Sequence, residues 1–165
     1  MTDQPAHTPG HWPQGDAEID TMLEHGDLER VTPSAEHANL LMSHADGHLE
    51  AAEPLIDVHP TSAFPLIYDA TRKAMTAILA KQGVRPYARS ELGAHKAVQQ
   101  AIQAQLGRAA GVVRPFGPMR LRRHDTEYPS LDDVPLTSGE TRQAFDDATS
   151  IVAAMKKLLP RLGPF

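Results

Sequence analysis

The chain has no cysteine anywhere in its 165 residues. That absence excludes disulfides, thiolate metal sites and a cysteine nucleophile. Long apolar runs are also missing. None approaches the roughly 20 residues needed to span a membrane, and Met1 to Gly15 is polar and proline-rich, without the apolar core of a signal peptide. A cytoplasmic protein that makes no use of membranes is the expectation. Positive charge is scarce: Lys and Arg total 16 against 21 Asp and Glu, a formal net charge of −5. A broad nucleic-acid surface is therefore excluded, and any polyanion site must be local. There is no glycine-rich phosphate loop, nucleophile elbow or dinucleotide fingerprint. Gly107 to Gly117 has glycines but neither the lysine nor the strand context of such loops. No internal repeat is visible, and strand signal is nearly absent.

What is present points to helices. Hydrophobic residues make up 41% and charged residues 22% of the chain, the balance of one globular domain with a real core. Residues 1–13, with His7, His11 and Trp12, read as a flexible tail, and 14–165 as a single helical domain. Asp16 to His25 forms a short helix ended by Gly26. Thr32-Pro33 opens a long helix to about Glu53, with a stripe of Ala38, Leu41, Met42, Ala45, Leu49 and Ala52. Pro54 ends or kinks it. After Val58-His59-Pro60, Thr61 or Ser62 caps a helix that carries Phe64, Ile67, Ala70, Ala74, Ala77 and Ile78 and stops at Gly83. A turn-rich link, Val84 to Glu91, leads to a third long helix from Leu92 to Leu106. Gly107 to Gly117 is expected to be a loop and Pro118 to start a short helix ending before Pro129. Thr137-Ser138-Gly139-Glu140 is a capping-box pattern opening a last helix to about Leu159. The sum is an all-α protein: an antiparallel bundle of four main helices plus short helical pieces.

Chemistry concentrates in Arg120-Leu121-Arg122-Arg123-His124-Asp125-Thr126-Glu127-Tyr128. On a helix Arg120, Arg123, His124 and Glu127 share a face, and Tyr128 neighbours His124. Guanidinium forks suit phosphate, and histidine titrates near neutrality. Such a set could hold an RNA phosphate and move protons without a metal. The plainer alternative is a solvated basic face with internal salt bridges, worth under about 1 kcal/mol each. Other histidines are candidates too. His37, His44 and His48 lie on one side of the long helix, and His44 and His48 have zinc-chelating i, i+4 spacing, but no nearby residue completes a ligand set. No metal and no cofactor is expected. His95 follows Gly93 in a first helical turn, where bonding to a backbone carbonyl is favoured over a proton-carrying role. Tyr68 reads as core with a satisfied hydroxyl. Asp69 either pairs with Arg72 or orients Arg123.

These residues carry a resemblance. The long helix with Ala45, His48, Leu49 and Ala52, the segment Tyr68-Asp69-Ala70-Thr71-Arg72-Lys73-Ala74, Gly93-Ala94-His95, and Arg122 to Pro129 are together similar to the HEPN-domain family of small bacterial helical proteins. The resemblance spans most of the chain. The family signature is an arginine, a polar residue, three to five further residues and a histidine. Arg123 and His124 match its start, while Tyr128 stands where the histidine is expected. A tyrosine with a reference pKa of about 10 is a poor general base at neutral pH. The resemblance implies a homodimer with the Arg120–Tyr128 helix facing its symmetry mate, and a place in a toxin–antitoxin-like or stress system. RNA or a nucleotide would be bound, or RNA cleaved without a metal. In that reading Arg123 holds the phosphate, and His124 or Tyr128 handles protons or positions the substrate. Arg120 and Arg122 steer the polyanion, with Asp125 and Glu127 completing the binding site. The competing expectation is a catalytically inactive dimer that docks a partner such as a nucleotidyltransferase, with Arg123 and Glu127 in interface salt bridges.

Overall fold

The helix with the most buried side chains lies at the centre of the molecule. The computed structural model describes residues 10–87 and 89–165. Its elements in order are α1 (Asp16–Glu24), β1 (Leu28–Arg30), α2 (Ala35–Ala52), α3 (Pro60–Gln82), β2 (Val84–Pro86), α4 (Glu91–Leu106), α5 (Phe116–Glu127) and α6 (Ser138–Leu158). The 23 residues of α3 bury Phe64, Ile67, Tyr68, Met75, Ile78 and Leu79, among others, around most of its circumference. A helix apolar on most sides must be covered on most sides, and α2, α4, α5 and α6 all pack on α3. Each large side chain so buried contributes about 1.5–3 kcal/mol.

The expectation of an all-α chain holds for the main elements, but the antiparallel arrangement needs correction. α2 runs against α3, with Ser34 N–H bonded to Ala80 O at 3.0 Å across the hairpin. Alongside α3, α6 runs in the same direction: Phe64 and Ala144 line one groove near their starts, and Lys81 reaches Leu159 O at 2.7 Å near their ends. The same holds for α4, where Tyr68 meets His95 and Gln82 meets Gln105. The connection after α3 is long enough to allow this. From Gln82 the chain must travel back about 21 Å along α3 to reach Tyr68, and residues 83–90 span up to about 26 Å when extended.

That return produces the one element with no sequence signal. β1 and β2 pair antiparallel, with Leu28 opposite Pro86, Glu29 opposite Arg85 and Arg30 opposite Val84. Strands of three residues are too short to show a period. Gly83 makes the turn into β2 possible, at φ 80° with no room for a Cβ: Pro33 Cγ would lie 2.6 Å away.

Other boundaries shift for local reasons. Ser34 and Ser90 cap α2 and α4 by accepting from His37 N–H and Gly93 N–H. Thr137 and Glu140 form the capping box of α6. By contrast, α3 begins at Pro60, so Thr61 and Ser62 lie inside it and not at its cap. The Gly107–Val113 stretch is a 3₁₀ turn in place of a loop, and α5 starts at Phe116, two residues before Pro118. The flexible-tail expectation for residues 1–9 lies outside the described residues. The rest of that stretch is packed, with Trp12 Nε1 donating to Gln105 O at 3.0 Å and Gly163 N–H donating to Gly10 O at 3.0 Å. Among the described residues no helix is long and apolar enough to cross a membrane.

Candidate functional site

Where α3, α4 and α5 meet, the core contains polar groups. Tyr68 of α3 is fully buried, and its hydroxyl lies 2.7 Å from His95 Nδ1 on α4. The ring of Phe116, at the start of α5, stacks on Tyr68 with centroids 5.0 Å apart and planes 12° apart. Burial raises the Tyr68 pKa beyond its ordinary value, against the opposing charges of Arg123, Arg72 and Arg120. Burial also pushes His95 down to about 4, helped by Arg72 and Arg123 and opposed by Glu91 and Asp69. At neutral pH both groups are uncharged, and the carboxylate facing Nε2 favours the tautomer with the proton there, in which Tyr68 donates its hydroxyl proton to Nδ1. Glu91 Oε1 is 3.9 Å from that Nε2. His95 therefore bonds a side chain, and the expected backbone carbonyl is not its partner. The Tyr68 hydroxyl is satisfied, as its apolar setting required.

Arg123 closes the arrangement. Its guanidinium sits over the Tyr68 ring, 5.3 Å from the centroid. Its nitrogens reach Glu91 at 3.3 Å and Glu127, one helical turn away, at 2.6 Å. Asp69 pairs with Arg72 at 3.1 Å and does not orient Arg123. Arg120 lies one turn before Arg123, near enough for its charge to act on Tyr68. It differs from Arg123 in one respect: its Nε and Nη1 are buried with no hydrogen-bond acceptor. Unmet donors of this kind cost about 1–3 kcal/mol each.

The nine-residue cluster is thus divided among three surfaces. Arg120 and Arg123 turn inward to Tyr68. His124 and Tyr128 are exposed, their rings 5.1 Å apart. Arg122 faces away, donating to Val134 O at 3.0 Å and lying 3.4 Å from Glu140 Oε1 in an ion pair without a hydrogen bond at that nitrogen. Asp125 lines a shallow groove with Arg122, Thr61 and the 129–136 loop. The seven candidate residues therefore do not converge on one pocket of this protomer. Sequence reasoning missed Glu91 and Phe116, which face the cluster from other turns. The helix-start position of Glu91, four residues before His95, was the available signal.

On the other side of α3, Lys73 Nζ lies 2.6 Å from His48 Nε2. That contact occupies the nitrogen a metal would need. Among the described residues no group of three or more His, Asp and Glu side chains is placed to hold an ion.

Chemically, the α3–α4–α5 cluster offers a neutral imidazole, a protonated phenol and three guanidiniums, two of them matched by carboxylates. Such a set favours recognition of an anion over nucleophilic attack, because Tyr68 holds its proton and His95 Nδ1 is already bonded. No family model, no curated protein and no solved structure matches this chain.

Proposed function

We propose that this chain is a HEPN-type protein directed to RNA or a nucleotide in a toxin–antitoxin-like or stress system. Its phosphate contact is then Arg120, supported by Arg123 and Arg72. Arg120 carries this reading: a half-buried guanidinium whose charge acts on Tyr68, with no carboxylate in ion-pair distance among the described residues, gains most from an incoming oxyanion, which supplies the counter-charge. Arg123, assigned from sequence to the scissile phosphate, already gives its donors to Glu91 and Glu127. In this proposal it positions the Tyr68 face, while the exposed rings of His124 and Tyr128 stack on a base at the rim. The homodimer belongs to the same proposal. Leu121 on α5 is exposed, and a symmetric contact through it sets two such clusters side by side.

A second reading is favoured by one observation. Two carboxylates engage Arg123, as expected of a non-catalytic dimer that docks a partner such as a nucleotidyltransferase.

Incubating RNA with the protein and EDTA, beside its Arg123→Ala variant, separates the readings. Retention of RNA without cleavage supports the binding proposal. Cleavage that Arg123→Ala abolishes makes the chain a metal-independent ribonuclease. Neither retention nor cleavage, for single-stranded RNA or nucleotides, overturns the proposal and leaves the docking dimer.

A further inference from the structure

We infer that the α2–α3 face carries a second anion site, of the phosphate class, built from Lys73, Arg72 and His48. It shares Arg72 with the α3–α4–α5 cluster and rests on Lys73 and His48, which that proposal does not use. Lys73 and His48 are both half-buried, and their nitrogens are 2.6 Å apart. An ammonium has only donors, so His48 Nε2 accepts and its Nδ1 bears the ring proton. Burial, then the Lys73 charge, lowers the His48 pKa; His44 and Arg72 act in the same sense and Asp69 opposes them. The neighbour of Lys73 is therefore a neutral ring at neutral pH. Among the described residues no carboxylate lies within ion-pair distance of Lys73.

The local charge does not balance. Asp69 takes the Nε of Arg72 at 3.1 Å, which leaves the terminal nitrogens of Arg72 without a bond to the described residues and Lys73 without a counter-ion. Asp46, on another side of α2, is held by Lys156 of α6 at 2.6 Å. A half-buried cation is costly when unmatched, and here the surplus sits in a chain whose net charge is −5. An anion from solution removes that cost.

The donors also indicate which anion. A planar fork on Arg72 and the two remaining ammonium protons of Lys73, beside the neutral ring of His48, outnumber the oxygens of one carboxylate. A tetrahedral oxyanion accepts from all of them. The site differs from the first because Lys73 lies about 7.5 Å along the α3 axis from Tyr68. Arg72 stands between them, its charge acting on His48, His95 and Tyr68 alike.

The test is a titration of the intact protein with inorganic phosphate at constant ionic strength, following the imidazole resonances of His48 by NMR. The expected result is a saturable shift, with His48 titrating at higher pH when phosphate is bound because the anion favours the imidazolium. Lys73→Gln should weaken binding about tenfold, the loss of one charge-assisted contact, while Arg120→Met leaves it unchanged. Lys73→Arg, which keeps the charge, should retain binding and guards against simple misfolding of the glutamine variant. A His48 response that is absent, is equal in Lys73→Gln, or is lost with Arg120→Met overturns the inference.

Discussion

Acidification should destabilise this protein through one identifiable side chain. His95 is buried, 8% exposed, and its pKa falls from 6.5 to about 4 on folding. The folded pKa is the lower one, so between these values the unfolded chain binds the proton that the folded chain refuses. Stability is therefore intact above about pH 6.5, is lost progressively as pH falls towards 4, and loses nothing further from this group below that. The interval corresponds to about 3 kcal/mol, a large share of the 5–15 kcal/mol typical of a folded domain. His48 shifts in the same direction, and carboxylates titrate nearby, so the total slope is not diagnostic. The informative quantity is the difference between the wild type and His95→Gln, measured by urea unfolding at pH 7, 6, 5 and 4. The glutamine keeps an acceptor for the Tyr68 hydroxyl and cannot titrate. The wild type should lose about 3 kcal/mol more than the variant over that range. Parallel pH dependences would refute the placement of a neutral His95 against Tyr68.

Two further outcomes test the scaffold. Gly83→Ala should destabilise by more than about 1 kcal/mol in urea unfolding, because a left-handed backbone disfavours a Cβ and that atom would meet Pro33 and the Val31 carbonyl within 3 Å. Thr137→Ala should cost about 1 kcal/mol by removing the capping box of α6; an unchanged unfolding midpoint would show that the cap contributes nothing.

Much of the helical content was legible because each long helix shows a 3.6-residue apolar stripe. The stripe of α3 is buried at Phe64, Ile67, Ala70, Ala74, Ala77 and Ile78, and the capping box placed the start of α6 correctly. Helix direction was not legible. Periodicity fixes which face is buried but says nothing about which way the chain returns, and residues 83–90 are long enough to permit either course. The site was half legible for a related reason. Residues 120–128 announce their chemistry by composition, and the helical wheel pairs Arg123 with Glu127 correctly. The same wheel cannot show that Glu91 and His95 arrive from α4, or that Arg122 turns away to Glu140. Those contacts are tertiary, and a local pattern does not encode them.

The most direct test of the proposed phosphate role is the affinity for single-stranded RNA, read by fluorescence anisotropy in EDTA at several salt concentrations, for the wild type and Arg120→Met. The methionine keeps the buried stem and removes the unbonded guanidinium. The account predicts a dissociation constant about tenfold weaker and a salt slope smaller by about one, together with unfolding stability equal to or above that of the wild type, since two unmet buried donors disappear. Equal affinity and equal slope in the two proteins would contradict it and remove Arg120 from the site.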